Sequence, residues 1–137
     1  MRVLFDTNVL FSALVFPSGL CHKALSTAIL LGDEIVIPDY VREELVETIE
    51  RKFPNKMPDI LPFLETISHV SFSSKTAFLA EGLPKLRDEK DQPVLTAAIM
   101  TGCDFILTGD RDFLESGISC PQPIHPKDYL EMLLLRF

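Results

Sequence analysis

Short apolar segments that favour strands alternate along this chain with segments of helical periodicity. The predicted strands cover residues 2–5, 34–38, 70–72, 105–107 and 123–125, and the predicted helices cover 18–32, 39–53, 58–68, 76–81, 93–101 and a terminal stretch from 126. This alternation predicts an α/β domain in which helices flank a mainly parallel central sheet. Residues 6–19, between the first strand and the first helix, are expected to form a loop. In such a sheet a ligand binds beyond the carboxyl ends of the strands, where the strand order reverses.

The size and composition of the chain restrict it further. Its 137 residues, 47% hydrophobic and 24% charged, fit one globular domain over residues 1–137 and exclude a disordered protein. The formal net charge of −7 disfavours a partner that is bound through many contacts from lysine and arginine to phosphate. The same excess of acids is what a carboxylate metal site produces, and a bound divalent ion would reverse the sign locally. We therefore expect any binding to nucleic acid to be weak without the ion and only modestly dependent on salt.

Cysteine usage and hydropathy indicate the compartment. The three cysteines, Cys21, Cys103 and Cys120, form no C-x-x-C pair, so they predict neither a disulfide framework nor a structural zinc site. Asp6 and Asn8 interrupt the apolar N-terminal segment, which argues against a signal peptide. No apolar run reaches the roughly 20 residues that cross a bilayer. The chain is therefore expected to be cytoplasmic, without a membrane partner.

Acidic side chains follow two of the predicted strands. Asp6 comes directly after the first strand, and Asp110 and Asp112 follow the strand at 105–107, so a parallel sheet would bring them to one edge. Aspartate is also a common turn and cap residue, and an Asx turn is the simpler explanation for Asn8. The joint occurrence of acids after two strands nevertheless favours a functional site.

Two further acidic groups lie at helix starts. In the second helix Glu43 and Glu44 border opposite edges of the apolar stripe, and periodicity alone does not choose between them. Asp91 precedes the helix that begins at Pro93, where a helix cap explains it as well as a ligand does. Converging carboxylates would repel one another unless a cation lay between them, and an all-oxygen set favours Mg²⁺ or Mn²⁺ over zinc. The three histidines are scattered, which also argues against a Ser-His-Asp or Cys-His hydrolase.

Four motifs occur in order along nearly the whole chain and together form a strong pattern. They are Val3-Leu4-Phe5-Asp6-Thr7-Asn8-Val9-Leu10, Val41-Arg42-Glu43-Glu44-Leu45, Asp88-Glu89-Lys90-Asp91-Gln92-Pro93-Val94-Leu95 and Leu107-Thr108-Gly109-Asp110-Arg111-Asp112-Phe113. In this order they resemble the PIN-domain family, in particular its short single-domain members similar to VapC toxins of toxin–antitoxin systems. The resemblance implies a PIN-like three-layer fold and a metal-dependent nuclease activity that acts mostly on RNA.

Position by position, the resemblance implies four metal-binding and catalytic acids, with Glu44 chosen over Glu43 because the family acid directly precedes a leucine. These acids are Asp6, Glu44, Asp91 and Asp110. Asp112 is implied as an additional ligand or as a residue that supports the ligands. The residues implied to orient ligands or waters are Thr7, Asn8 and Thr108. Gln92 departs from the commoner family pattern, in which asparagine often follows the third acid.

The activity implied by the resemblance is endonucleolytic hydrolysis of single-stranded or looped RNA with Mg²⁺ or Mn²⁺, leaving 5′-phosphate and 3′-hydroxyl ends. A toxin of this type would have an antitoxin protein as its partner and would form a homodimer. Basic side chains beside the acids are candidates for contacts with flanking phosphates, or equally for surface ion pairs. They are Arg42, Arg87, Lys90 and Arg111. The apolar residues at 129–137 are a candidate dimer contact, although packing of a terminal helix on its own core explains them better.

Two other interpretations stay open from the sequence. One is a non-catalytic, receiver-like module with an acidic metal pocket. Such a module would carry paired acids after its first strand, whereas here a single acid follows that strand and Glu44 lies on a helix. The other is a PIN-like protein that has lost its activity and serves only as an interaction partner. The complete set of four acids makes this the weaker interpretation.

Overall fold

Four parallel strands form the central sheet of the computed structural model, which describes residues 1–67 and 92–136. They are β1 (Arg2–Phe5), β2 (Glu34–Val36), β3 (Phe105–Leu107) and β4 (Gln122–Ile124). The strand order is β2-β1-β3-β4. β1 is therefore central: its Val3 pairs with Ile35 of β2 and with Phe105 of β3. The parallel sheet expected from the sequence is confirmed.

Helices cover both faces of this sheet. They are α1 (Thr7–Val15), α2 (Leu20–Leu30), α3 (Asp39–Lys52), α4 (Met57–Thr66), α5 (Gln92–Met100), α6 (Arg111–Leu114) and α7 (Pro126–Leu134), with a 3₁₀ turn at Pro54–Lys56. In the part of the chain that the structure describes, no single helix is both long and apolar enough to cross a membrane. α1 and α2 meet that test only when taken together, and they are bent by 93°.

The alternation of strand side chains divides the core into two layers. Val3 and Phe5 belong to the layer under α1, α2, α3, α4 and α7, whereas Leu4 belongs to the layer under α5 and α6. All three side chains are fully buried. α5 fills the second layer with the buried residues of its 94–98 segment. A sheet between two helical layers is the three-layer arrangement that the sequence predicts.

The expected loop over residues 6–19 was wrong, because most of this segment forms helix α1. Asp6 caps the helix: its side chain accepts a hydrogen bond from the Thr7 backbone N–H at 2.8 Å. The residues that bury one side of α1 are Val9, Leu10, Ala13 and Val15. Their helical spacing was present in the sequence, so Asp6 begins a helix rather than a loop. The next helix also begins later than the expected residue 18, since α2 starts at Leu20 with Gly19 as its N-cap.

The remaining predicted elements agree with the structure to within a few residues wherever they fall on described residues. The predicted strand at 70–72 and the predicted helix at 76–81 lie outside the described residues, and the short helix α6 was not expected. Helix α7 packs on its own core, since Tyr129 and Leu133 are fully buried. Core packing therefore explains the first part of this apolar segment, while Leu134 and Leu135 are exposed.

A buried carboxylate lies at the amino ends of the strands and is hydrogen-bonded on both of its oxygens. Asp33, just before β2, accepts a hydrogen bond from the Tyr129 hydroxyl at 2.8 Å. Its other oxygen accepts from the Arg136 guanidinium at 3.0 Å and from the Met1 amino group at 3.1 Å. Burial by itself would raise the pKa of Asp33, but these hydrogen bonds outweigh it and hold the pKa below its ordinary value. Asp33 therefore stays charged and ties β2 to the C-terminal helix.

Candidate acidic site

The strand order reverses between β1 and β3, where a parallel sheet offers a ligand-binding crevice. Asp6 is the first residue after β1, and Asp110 lies just beyond the end of β3. The two strand ends are joined directly, because the Asp6 backbone N–H donates to the Leu107 carbonyl oxygen at 2.9 Å. Two of the predicted acids therefore occupy the same edge of the sheet.

Thr108 connects these two acids. Its side chain is fully buried, and its hydroxyl donates to Asp6 Oδ2 at 3.0 Å while it accepts from the Asp110 backbone N–H at 3.1 Å. The other oxygen of Asp6, Oδ1, accepts from the Thr7 backbone N–H. Each carboxylate oxygen of Asp6 thus has a hydrogen-bond donor and still has a lone pair for a further ligand. The orientation of the Asp6 carboxylate is fixed by these contacts.

The electrostatic environment of Asp6 is unfavourable for its charge. Burial raises the pKa of Asp6 above its ordinary value, the hydrogen bonds from Thr108 and Thr7 oppose this rise, and the charge of Asp110 adds to it. Within residues 1–67 and 92–136, no lysine or arginine forms an ion pair with Asp6 or Asp110. A cation is therefore the group that this charge distribution lacks.

Glu44 lies on α3, which packs beside α1. The Thr7 hydroxyl donates to Glu44 Oε2 over 3.5 Å, a long contact for a hydrogen bond. Glu44 is otherwise an exposed residue, as is Glu43, so its carboxylate is free to change position. The structure thus places Glu44 beside the first turn of α1, next to the residue that follows Asp6.

Tyr40, one turn before Glu44 on α3, is a residue that the sequence reasoning missed. Its ring packs against both hydrophobic layers, and its hydroxyl is buried with no hydrogen-bond partner among the described residues. Burial raises the pKa of this hydroxyl, and the negative charges of Asp6 and Glu44 raise it further. The sequence feature that points to Tyr40 is its position four residues before Glu44, which puts both side chains on one helix face.

The other predicted site residues have simpler placements. Asp110 caps α6 by accepting from the Asp112 backbone N–H at 2.9 Å, and Asp112 is exposed in the first turn of that helix. Asn8 is exposed in the first turn of α1. Asp91, Arg87 and Lys90 lie outside the described residues.

The two basic candidates on described residues are both near the acids in sequence. Arg111, beside Asp110, forms an ion pair with Glu115 at 3.7 Å, and both side chains of this pair are largely exposed. Arg42 is half-buried on α3. An exposed pair such as that of Arg111 contributes little to stability, so the guanidinium is available to another anion.

No group of three or more histidine, cysteine, aspartate or glutamate side chains in the described residues lies close enough together to hold a metal ion. His22 contacts a backbone carbonyl oxygen and His125 caps α7, while the three cysteines are free thiols. The side-chain donors at the reversal of strand order are carboxylates and hydroxyls, which suit Mg²⁺ or Mn²⁺ chemically. Completing such a set requires Glu44 to approach Asp6, or an acid outside the described residues such as Asp91.

A separate cavity of about 470 Å³ opens between α1, α2 and α4. Its mainly apolar lining includes Leu25, Ile29, Ile60 and Phe63. Neither Asp6 nor Asp110 lines it. The cavity and the acidic edge are therefore two distinct features of the molecule.

Comparisons with known proteins agree with this architecture. A family model for the PIN domain matches residues 2–112 of the chain. Among solved structures, VapBC2 from Rickettsia felis bound to a DNA fragment from its promoter contains a similar chain, with a TM-score of 0.65 and 18% sequence identity. The match covers 91% of this chain and 98% of that chain, and at this identity the likeness concerns the fold. No curated protein matches the chain in sequence.

Proposed function

Because this chain belongs to the PIN domain family, whose members are generally nucleases, we propose that it is a divalent-metal-dependent endoribonuclease. In this proposal residues 1–137 form one nuclease domain that hydrolyses RNA phosphodiester bonds and leaves 5′-phosphate and 3′-hydroxyl ends. The family assignment favours this function over a receiver-like module.

The observation that carries the proposal is the pair of acids at the reversal of strand order. Asp6 is partly buried with a raised pKa, Asp110 is its charged neighbour, and neither is paired with a cationic side chain of the described chain. An arrangement of this kind destabilises the ion-free protein unless a positively charged ligand offsets the repulsion. A carboxylate whose pKa is raised by burial and by a neighbouring acid, at the reversal of strand order, is a candidate for a functional group.

The residues that we assign to hold Mg²⁺ or Mn²⁺ are Asp6, Glu44, Asp91 and Asp110, with Asp112 as an additional ligand. When bound, the ion supplies charge that stabilises the phosphodiester transition state and makes an attacking water more acidic. The chain's own contribution is orientation, since Thr108 and the Thr7 backbone fix the two oxygens of Asp6. Preorganised ligands of this kind lose little conformational freedom when the ion binds.

We further propose that the protein is the toxin of a toxin–antitoxin pair, acts in the cytoplasm, and forms a homodimer. The likeness to a chain of the VapBC2 complex supports an antitoxin protein as its partner. The exposed Leu134 and Leu135 offer apolar surface to a second copy. Size-exclusion chromatography with light scattering tests the dimer, and a monomer at high protein concentration would contradict it.

The nuclease proposal is tested by incubating the purified protein with structured and unstructured RNAs. We expect cleavage with Mg²⁺ or Mn²⁺, loss of cleavage with a chelator, and loss in the Asp6→Asn and Asp91→Asn variants. Asp59→Asn is the matched control, because Asp59 is an exposed aspartate in the first turn of α4. It should cleave RNA at the wild-type rate.

Two results would count against this assignment. Equal cleavage by the wild type and Asp6→Asn would place the activity elsewhere. Absence of cleavage with every RNA and both ions, in a folded protein, would favour a PIN domain that acts only as an interaction partner.

A further inference from the structure

Both tyrosines of this chain have a buried hydroxyl group, but the two hydroxyls differ in their hydrogen bonding. Tyr129 donates to Asp33 at 2.8 Å. The hydroxyl of Tyr40 has no partner in the part of the chain that the structure describes, and no other buried side-chain nitrogen or oxygen there shares this condition. A buried hydroxyl without a partner destabilises the folded state, so this position calls for an explanation.

The surroundings of Tyr40 indicate which kind of partner is missing. Tyr40 and Glu44 are four residues apart on α3, so their side chains share one helix face. The charges of Asp6 and Glu44 both act on the hydroxyl. Because these neighbours are negative, the hydroxyl can serve there as a donor to an anionic oxygen.

Of the two carboxylates, Glu44 is the one that is free to move toward the hydroxyl. Asp6 is already oriented by Thr7 and Thr108, each of which donates to one of its oxygens. Glu44 is exposed and has a single long contact of 3.5 Å from the Thr7 hydroxyl. A change of side-chain rotamer at Glu44 is therefore much less restricted than any movement of Asp6.

We propose that Tyr40 is a positioning residue whose hydroxyl donates to the Glu44 carboxylate when Glu44 turns toward Asp6 to complete the ion-binding set. This inference rests on the proposed function and assigns to it a residue outside the acidic motifs. In the ion-free protein, repulsion among the carboxylates opposes the turn of Glu44, and Tyr40 stays without a partner. Once their charge is neutralised, Glu44 can approach and the hydrogen bond forms. Ion binding is thereby coupled to the formation of a hydrogen bond by the buried hydroxyl of Tyr40.

The variant Tyr40→Phe tests this coupling because it removes the hydroxyl and keeps the ring in the core. Three quantities are measured: the Tm without divalent ion, the Mn²⁺ affinity by calorimetric titration, and RNA cleavage as a function of Mn²⁺ concentration. We expect a Tm equal to or above that of the wild type, a Mn²⁺ affinity about tenfold weaker, and a lower kcat at limiting Mn²⁺ with an unchanged KM for RNA.

Tyr129→Phe is the matched control, since it removes a buried hydroxyl that already has a partner. It should lower the Tm and leave the Mn²⁺ affinity unchanged. A Tm of Tyr40→Phe below that of the wild type in the absence of ion would overturn the inference, because the hydroxyl would then have a partner in the ion-free protein.

Further outcomes separate this inference from the proposed function. If the wild type binds Mn²⁺ and cleaves RNA while Tyr40→Phe does both equally well, the role of Tyr40 is wrong and the proposed function stands. If the wild type neither binds Mn²⁺ nor cleaves RNA, the proposed function fails and the role of Tyr40 fails with it.

Discussion

The two edges of the sheet each carry an aspartate that is partly or fully buried, and their surroundings are opposite in character. At the amino edge, Asp33 receives hydrogen bonds from Tyr129, Arg136 and the Met1 amino group, and its pKa is lowered. At the carboxyl edge, Asp6 has another acid as its charged neighbour, and its pKa is raised. The charge of Asp33 is neutralised within the chain, whereas that of Asp6 is left for a ligand. By this difference, more than by burial alone, Asp33 has the surroundings of a structural carboxylate and Asp6 those of a candidate functional one.

The largest effect is expected at the carboxyl edge. Asp6→Asn should reduce the rate of RNA cleavage by at least about 100-fold, because a ligand charge is lost. Its free energy of unfolding at neutral pH and without ion should be unchanged or higher, since asparagine can still cap α1 and a repulsive charge is gone. Single-turnover cleavage and urea unfolding measure the two quantities. A clear loss of stability would break the contrast with Asp33.

The opposite pattern is expected at the amino edge. Asp33→Asn should lower the free energy of unfolding by about 3 kcal/mol, because it removes the charge that the Arg136 guanidinium and the Met1 amino group share. Cleavage per folded molecule should be unchanged at a temperature where the variant is folded. Urea unfolding and cleavage assays on the same sample provide the test. A large loss of activity in the folded variant would show that the two edges are not independent.

The two aspartates should also respond to pH with opposite signs. The pKa of Asp33 lies below the ordinary 3.8, so its stabilising contribution is complete above pH 3.8 and is lost as the pH falls through the lower folded value. The pKa of Asp6 lies above 3.8, so its ionisation destabilises the ion-free fold at neutral pH, and this cost disappears as the pH falls toward 3.8.

Urea unfolding of the wild type and both asparagine variants, from neutral pH to about pH 2.5, tests these signs. The free energy of unfolding of Asp33→Asn should stay below that of the wild type until the solution is strongly acidic, where the difference should shrink. Any excess in the free energy of unfolding of Asp6→Asn over the wild type should shrink at higher pH, as the pH falls toward 3.8. Parallel pH profiles for the three proteins would contradict both assignments.

A smaller effect is expected at Thr108, which orients Asp6. Thr108→Val should lower the cleavage rate about tenfold, because it removes the donor to Asp6 Oδ2 in a side chain of nearly equal size. The free energy of unfolding should fall by about 1 kcal/mol. Thr108→Ser keeps the hydroxyl and should retain most of the rate. If the serine variant is as impaired as the valine variant, packing rather than orientation explains the effect.

The smallest effect is expected at Arg111, whose pair with Glu115 is exposed. Arg111→Gln should change the free energy of unfolding by no more than about 0.5 kcal/mol. Because the variant would lose a contact with a substrate phosphate, it should raise the KM for RNA by about twofold to fivefold, with kcat unchanged. Glu115→Gln is the control, since it frees Arg111 and should not raise the KM. An unchanged KM in Arg111→Gln would show that Arg111 makes no contact with a substrate phosphate that contributes to binding.

Local patterns predicted most of the fold. The strands β1 and β3 and the buried helix α5 were identified because their apolar residues are contiguous and their ends carry acids, proline or glycine. Helix α1 was missed for a physical reason: one carboxylate serves both as a helix cap and as a member of the acidic edge. A cap and a functional role are alternatives for Asp6 in the sequence, whereas the structure combines them, and the apolar spacing after Asp6 favours a helix.

The acids at the strand ends were predictable because parallel strands bring their carboxyl ends to one edge. Asp33 was not predictable in this way, since its partners Tyr129 and Arg136 lie 96 and 103 residues further along the chain. The unpaired hydroxyl of Tyr40 depends on how α3 packs, which no local pattern records. The ligand roles of Asp6, Glu44, Asp91 and Asp110 stay predictions until the variants are measured.

Asp6 has to meet two requirements, one on the length of its side chain and one on its charge, and most substitutions would meet only one of them. Folding constrains the length of its side chain, because the carboxylate meets Thr7 at 2.8 Å and Thr108 at 3.0 Å from its present position. The proposed ion binding constrains its charge. Glutamate would keep the charge but displace the oxygens by about 1.5 Å and lose the cap, whereas asparagine or serine would keep the cap without the charge. In related chains that have lost the proposed nuclease activity, residue 6 should therefore change to asparagine or serine, and rarely to glutamate.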